Sequence, residues 1–198
     1  MIIKLKYGNT STYFVQGVNG GLLIDTDYAG TMQAFYKVLK KSGISITDIT
    51  YILATHYHPD HIGLVSELQK MGIKLLLIDT QCSYVHFADA IFKQEKHLQY
   101  EPIGEKNTTI IGCDESRDFL ADLGIAGEII QTTSHSEDSI SVILDSGECM
   151  VGDLEPREYL VAYEENTALQ NDRKLVMSYH PKVIYYAHAN ENILRDSG

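Results

Sequence analysis

The chain is poor in cysteine and in positive charge, and it has no apolar run approaching the ~20 residues that span a bilayer. Its three cysteines, Cys82, Cys113 and Cys149, are odd in number and form no C-x-x-C pair. That excludes a disulfide framework and leaves them as small apolar fillers in a reducing compartment. The first residues, Met1-Ile2-Ile3-Lys4-Leu5-Lys6, alternate like a strand and lack a signal peptide's apolar core. The expected setting is cytoplasmic, with no membrane partner. Lys and Arg number 16 against 27 Asp and Glu, for a net charge of −11. Basic residues occur only in short patches such as Lys40-Lys41, so the footprint of a nucleic-acid binder is missing. A small anionic substrate stays compatible with this balance, because bound divalent cations make a local field positive even in an acidic protein. No repeat, low-complexity tract or linker divides the 198 residues, a length that suits a single domain over 1–198.

What is present is an alternation of short apolar runs and amphipathic stretches. Residues 2–6, 11–16 and 21–25 read as strands separated by Gly and Asn turns. Thr31 to Ser42 reads as a helix with Met32, Phe35, Val38 and Leu39 on one face and Gly43 as its stop. Further strands are expected at 49–54, 74–78, 108–111, 128–132, 139–145, 148–151 and 183–187. Helices are expected from Ile62 to Met71, from a cap at Asp114 to Leu123, and from Thr167 to Ser178, with a less regular helical stretch at 80–96. The least regular parts, 80–106 and 156–166, are candidate pocket walls. Strands and helices mixed in this way fit an α/β layered domain.

The most informative segment is Thr55-His56-Tyr57-His58-Pro59-Asp60-His61-Ile62-Gly63, where four potential metal ligands fall within six residues. It follows Tyr51-Ile52-Leu53-Ala54, which reads as a buried strand. His56 and His58, two apart, point to the same side of an extended backbone. Asp60 and His61 are adjacent, so such a backbone turns them different ways, towards two different ions. Imidazole nitrogen with carboxylate oxygen suits zinc, iron or manganese rather than calcium or magnesium. His86, His97 and His180 sit in no comparable pattern and read as ordinary surface or hydrogen-bonded residues. Tyr57 reads as packing or as a pocket residue. No serine or cysteine nucleophile stands in a recognisable motif, so any hydrolytic attack is expected directly from water.

The H-x-H-x-D-H pattern resembles the metal loop of the metallo-β-lactamase superfamily. Four more segments resemble that family's motifs, in family order: Gly21-Leu22-Leu23-Ile24-Asp25-Thr26, Ser134-His135-Ser136-Glu137-Asp138-Ser139-Ile140, Met150-Val151-Gly152-Asp153-Leu154 and Tyr185-Tyr186-Ala187-His188. Two departures are local. Ala187 and Ala189 flank His188 where many relatives carry glycine, and Thr133-Ser134 stand where relatives often have Pro-Gly. The resemblance implies a four-layer αββα sandwich with metals at one edge between two sheets. It implies one ion held by His56, His58 and His135, a second held by Asp60, His61 and His188, and Asp153 bridging both. Asp25 would orient a ligand histidine from behind.

The cofactors so implied are two divalent ions, zinc first, with iron or manganese as alternatives. Two bridged ions can share a hydroxide, the pKa of water falling from ~15.7 towards ~7, and Asp60 would help move a proton to the leaving group. The implied function is glyoxalase II-like hydrolysis of a small ester, thioester, lactone or phosphodiester. Several zinc β-lactamases place a cysteine, or no ligand, where this chain has Asp153, which disfavours antibiotic cleavage. Glyoxalase II proper continues into a glutathione-binding helical region, whereas this chain closes ten residues after His188, which disfavours a glutathione thioester. Iron-dependent oxygen or sulfur chemistry on the same fold, and a non-catalytic metal-binding sensor module, stay open as alternatives. Substrate identity and oligomeric state stay open as well.

Overall fold

The computed structural model describes residues 1–98, 100–156 and 166–194. Two mixed sheets form its centre. The six-stranded sheet holds β1 (Ile2–Lys6), β2 (Ser11–Gln16), β3 (Gly21–Ile24), β4 (Ile49–Leu53), β5 (Lys74–Ile78) and β6 (Thr108–Ile111), in that spatial order. β1 to β3 pair antiparallel, and β3 to β6 pair parallel. A parallel neighbour cannot be reached by a tight turn. The crossovers between those strands accordingly carry α1 (Met32–Lys41), then α2 (Pro59–Ile62) and α3 (Val65–Lys70), then α4 (Asp89–Gln94). After β6 come α5 (Ser116–Asp122) and the five-stranded sheet: β7 (Gly127–Gln131), β8 (Ile140–Leu144), β9 (Glu148–Met150), β10 (Val183–Tyr185) and β11 (Asn192–Ile193), in the order β11-β10-β9-β8-β7. Its parallel pair is β9–β10, and α6 (Thr167–Ser178) lies in that crossover.

Strand alternation sorts the apolar side chains into three separate cores. Leu22, Ile24, Leu53, Leu76 and Ile78 meet Ile129, Ile140, Val142, Leu144 and Met150 between the sheets. Leu23, Ile52, Leu75 and Leu77 point the other way, onto Phe35 and Leu39 of α1, Val65 and Leu68 of α3, and Phe92 of α4. Ile143, Cys149 and Ile184 line the outer face of the second sheet under Leu169 and Val176 of α6. Three cores make three interlayer spaces, so the architecture is the αββα sandwich. A register shift where Gly21 and Leu22 pair with Ile49 and Tyr51 skips Thr50. That bulge is why Ile49 and Ile52, three apart, fall in the same core.

Most expected elements coincide with observed ones to within a residue or two. The expected helix from Ile62 to Met71 is instead two pieces: α2 starts earlier, at Pro59, and a turn at Gly63 and Leu64 separates it from α3. The cause is tertiary. Gly63 donates its N–H to the Asp27 carbonyl at 3.1 Å. A Cβ added there would lie 2.2 Å from the Ala29 nitrogen. Asp114 does not cap a helix; it lies inside a 3-10 turn, Cys113–Glu115, that precedes α5. In the 80–96 stretch only Asp89–Gln94 is α-helical, and the short strand β11 had no expectation behind it. Residues 157–165 of the expected 156–166 loop lie outside the described residues. Among the described residues no helix is long and apolar enough to cross a membrane.

Candidate metal centre

The expected ligands converge beyond the carboxyl ends of β4, β9 and β10, where parallel strands hand over to their crossovers and ligands of α/β sheets usually bind. Pro59 occupies the first turn of α2, and the residue before a proline is held extended. His58 has φ −70° and ψ 152° accordingly. The extended run brings His56 Nε2 to 2.9 Å from His58 Nδ1. The turn of α2 then carries Asp60 and His61 round to a second point, with Asp60 Oδ2 3.9 Å from His61 Nε2. This corrects the expectation that these neighbours diverge. In a helical turn they lie about 100° apart rather than on opposite faces, and both reach the same place.

The remaining donors arrive from the second sheet. The loop between β7 and β8 puts His135 Nε2 3.2 Å from His58 Nδ1. That loop is pinned by a Ser136–Ser139 hydroxyl pair at 2.7 Å and by the Ser134 N–H, which donates to Asp172 of α6 at 2.7 Å. The segment after β10 puts His188 Nε2 3.0 Å from Asp60 Oδ2. Two donor groups result: His56, His58 and His135, and Asp60, His61 and His188. Asp153 stands between them. Its Oδ2 lies 3.8 Å from His56 Nε2 and 3.5 Å from His135 Nε2, while its Oδ1 lies 3.3 Å from His61 Nε2 and 3.4 Å from His188 Nε2. Gly152 delivers it from a left-handed backbone (φ +56°), with the Thr55 side chain so close that an added Cβ would fall 2.5 Å from Oγ1.

These residues fit divalent metal. Donors on a tetrahedral ion at 2.0–2.1 Å lie about 3.4 Å from one another. The separations here, from 2.9 Å to 3.9 Å, bracket that value. Two buried atoms facing the second group, His61 Nε2 and Asp153 Oδ1, make no hydrogen bond. Each such orphan costs about 1–3 kcal/mol, and one cation between them would satisfy both.

The two groups differ in charge. Burial, followed by the neighbouring imidazoles, pushes the His56 pKa well below its ordinary value. Burial also lowers that of His135, against partial compensation from Asp153. In the first group, His56 and His135 are therefore neutral rings with lone pairs available. At His61 burial opposes the charged form, but the carboxylates of Asp25 and Asp153 outweigh it and raise the pKa to about 10. The hydrogen bond that His188 donates to the Asp60 carboxylate raises its own pKa. Burial works against ionised Asp60 and Asp153 too, yet His188 and His61 hold the first, and His61 the second, below the usual carboxylate range.

Behind the donors lies a second set of groups. Asp25 lies behind one of the expected ligands: its Oδ2 is 3.1 Å from His61 Nδ1. It also accepts from the Thr55 N–H at 2.6 Å and the Thr55 hydroxyl at 2.9 Å. Three residues had no expectation attached. Thr10 donates from Oγ1 to Asp60 Oδ2 at 3.3 Å and from its N–H to Asp27 at 3.1 Å. Asp138 accepts the Tyr57 N–H at 2.7 Å. Gln81, fully buried, donates to the Ala54 carbonyl at 3.1 Å and the Asp138 carbonyl at 3.0 Å, clamping the His56–His61 loop to the His135 loop. Tyr57 is packed in the outer helix–sheet core and is not a pocket residue. Ala187 and Ala189 are absent from the described positive-φ positions, so glycine is not required beside His188. Phe87, exposed within the irregular 80–96 stretch, brings its ring to 5.7 Å from that of His58. On the other side a cavity of about 550 Å³ is lined by His135, Asp153 and His188 together with Lys4, Lys6 and Ser11.

The model of the metallo-beta-lactamase superfamily matches residues 5–188. A probable metallo-hydrolase of Methanocaldococcus jannaschii is 28% identical over 151 residues, covering 74% of this chain and 68% of that protein. An atrochrysone carboxyl ACP thioesterase of Aspergillus fumigatus is 27% identical over 188 residues, covering 94% of this chain and 38% of that one. The chain spans between about a fifth and two thirds of the length of the curated relatives it matches. Among solved structures, a metallo-beta-lactamase family protein from Thermus thermophilus shares the fold at TM-score 0.65 and 19% identity, over 97% of this chain and 74% of that one. A protein solved in a di-iron-bound form does so at TM-score 0.67 and 17% identity, over 98% and 94%.

Proposed function

Because the chain belongs to the metallo-β-lactamase superfamily, we propose that it is a metal-dependent hydrolase of small esters, thioesters, lactones or phosphodiesters. The observation that carries this reading is Asp153, whose two oxygens face two separate donor groups. His56, His58 and His135 would hold one divalent ion, Asp60, His61 and His188 the other, and Asp153 both, with zinc the first expectation. When bound, such ions make a nucleophilic water available at neutral pH and polarise a carbonyl or phosphoryl oxygen. The protein's own groups do the rest. Asp60, ionised beside His188 and Thr10 and partly open, would take a proton from the attacking water and pass it towards the leaving group. The cavity of about 550 Å³ suits a small molecule. The thioesterase and metallo-hydrolase names of two relatives support the reaction class.

The test is a substrate panel spanning the four classes, run on protein loaded with zinc and, separately, with iron or manganese. Turnover should vanish with chelator and return with metal. Silence across all four classes, with oxygen uptake on a thiol or persulfide, would move the function to iron chemistry. The di-iron form of one structural neighbour is the reason iron is included.

A further inference from the structure

Lys4 and Lys6 stand two apart on β1, an edge strand, so their side chains share one face, and Leu5 between them is fully buried on the other. The register sets Lys6 opposite Ser11 of β2 and Lys4 opposite Tyr13. Ser11 donates its N–H to the Ala187 carbonyl at 2.8 Å, one residue before His188. The Tyr13 hydroxyl donates to the Tyr186 carbonyl at 2.8 Å. Lys4 itself pairs with Glu191 at 3.1 Å, three residues after His188. The first two strands are thus fastened to the segment that carries His188, and both lysines line the cavity that His135, Asp153 and His188 also line.

The placement runs against the overall charge. With 16 basic residues against 27 acidic ones, a lysine has carboxylates to choose from. Lys4 takes Glu191. Among the described residues Lys6 makes no ion pair, and its ammonium rests on the Asn9 backbone carbonyl. Partial burial lowers the Lys6 pKa, Asp27 pulls it back up, and the neighbouring Lys4 pushes it down. A cation at a cavity wall, next to a like charge, is a local cost that an incoming anion removes. One ammonium without an ion-pair partner among the described residues matches one negative charge. Glu155, from the segment after β9, lines the same cavity and repels an anion, which restricts the anion to the β1 end.

We propose that Lys6, assisted by Lys4, binds a carboxylate carried by the substrate away from its scissile bond, so that the site selects anionic acyl substrates. The inference rests on the hydrolase reading and deepens it. The experiment compares 4-nitrophenyl hemiglutarate with 4-nitrophenyl butyrate, which differ by that carboxylate, on the full chain loaded with zinc. KM for the hemiglutarate should be lower by about fivefold, the scale of a partly exposed ion pair. The preference should disappear in Lys6→Met, persist in Lys6→Arg, invert in Lys6→Glu and shrink with added salt. Binding is measured alongside, with the non-hydrolysed amides N-(4-nitrophenyl)glutaramic acid and N-(4-nitrophenyl)butanamide. Anion-selective, Lys6-dependent binding without ester turnover would leave the subsite standing and sink the hydrolase reading. Turnover with equal KM for both esters, an amide preference unchanged in Lys6→Met, or no measurable binding of the glutaramic acid would overturn the subsite.

Discussion

Replacing Asp25 with asparagine turns the oxygen that faces His61 Nδ1 and the Thr55 hydroxyl into an amide donor and keeps the rest of the side chain. Asp25 has φ +59°, a backbone region that Asn tolerates as Asp does, so the turn after β3 should survive. The Asn oxygen can keep the Thr55 N–H that Asp25 Oδ1 accepts at 2.6 Å. Its amide NH2 then faces His61 Nδ1, where the carboxylate Oδ2 lies at 3.1 Å. A donor in that place requires a lone pair on Nδ1 and drives the imidazole proton to Nε2, the atom aimed at the second donor group. A protonated Nε2 cannot ligate. Losing such a partner behind a ligand typically costs 10–100-fold in metal affinity, or about 1.4–2.8 kcal/mol. The first group, which reaches Asp25 only through the Thr55 hydroxyl beside His56 Nδ1, should change by less than about threefold on the same scale. Competition titration of metal-stripped protein with chromogenic chelators resolves the two dissociation constants, and far-ultraviolet circular dichroism controls for the fold. If both affinities stayed unchanged, His61 would not set the second ion. If both fell equally, Asp25 would be acting on the whole loop and the tautomer reasoning would be wrong.

In metal-stripped protein the His61 pKa, raised to about 10, and the raised pKa of His188 stabilise the fold fully below the ordinary value of 6.5 and lose that effect as pH climbs through the folded values. The melting temperature should therefore decline from pH 6.5 to pH 9, less steeply in Asp25→Asn, and a flat or rising wild-type curve would contradict the pairing. Asp153→Ala should reduce occupancy of both ions and most of the activity; elemental analysis showing two retained ions, with near-normal turnover, would mean that the bridge is misassigned. Gln81→Met keeps the volume but strips the donors from the Ala54 and Asp138 carbonyls. It should cost about 2–4 kcal/mol in urea unfolding of the metal-stripped protein, whereas a loss under about 1 kcal/mol would show that other donors replace the clamp.

Strand periodicity made most of the sandwich legible. Leu75 to Ile78 reads as a continuous apolar run because it is buried on both faces, Leu75 and Leu77 under helices and Leu76 and Ile78 against the other sheet. Helix α6 matches the expected Thr167 to Ser178, and the structure shows its start closed by Asn166, which accepts the Leu169 N–H at 3.0 Å. The break at Gly63 was not readable, since its cause is the backbone of residues 27–29, more than thirty positions away in the chain. Nor was β11, whose two residues carry no period of their own.

At the centre, legibility followed the range over which each contact acts. Four donors within six residues announce themselves, and the local geometry of Pro59 explains why His58 turns inward. His135, Asp153 and His188 were reachable through the order of five resembling segments, because spacing alone does not tell a distant histidine from a surface one. Thr10 and Gln81 left no trace: each is an ordinary polar residue until the fold sets it against Asp60 or against two backbone carbonyls. Lys6 shows the same limit from the other direction. In the sequence its alternation with Leu5 announces a strand and nothing more. Only when β1 is docked beside the segment carrying His188 does the outward half of that alternation become a charged wall of the cavity. Residues that hold metal are constrained in type by coordination chemistry and so are visible in a single chain. Residues that choose the substrate need only the right charge at the right place, and place is a property of the fold.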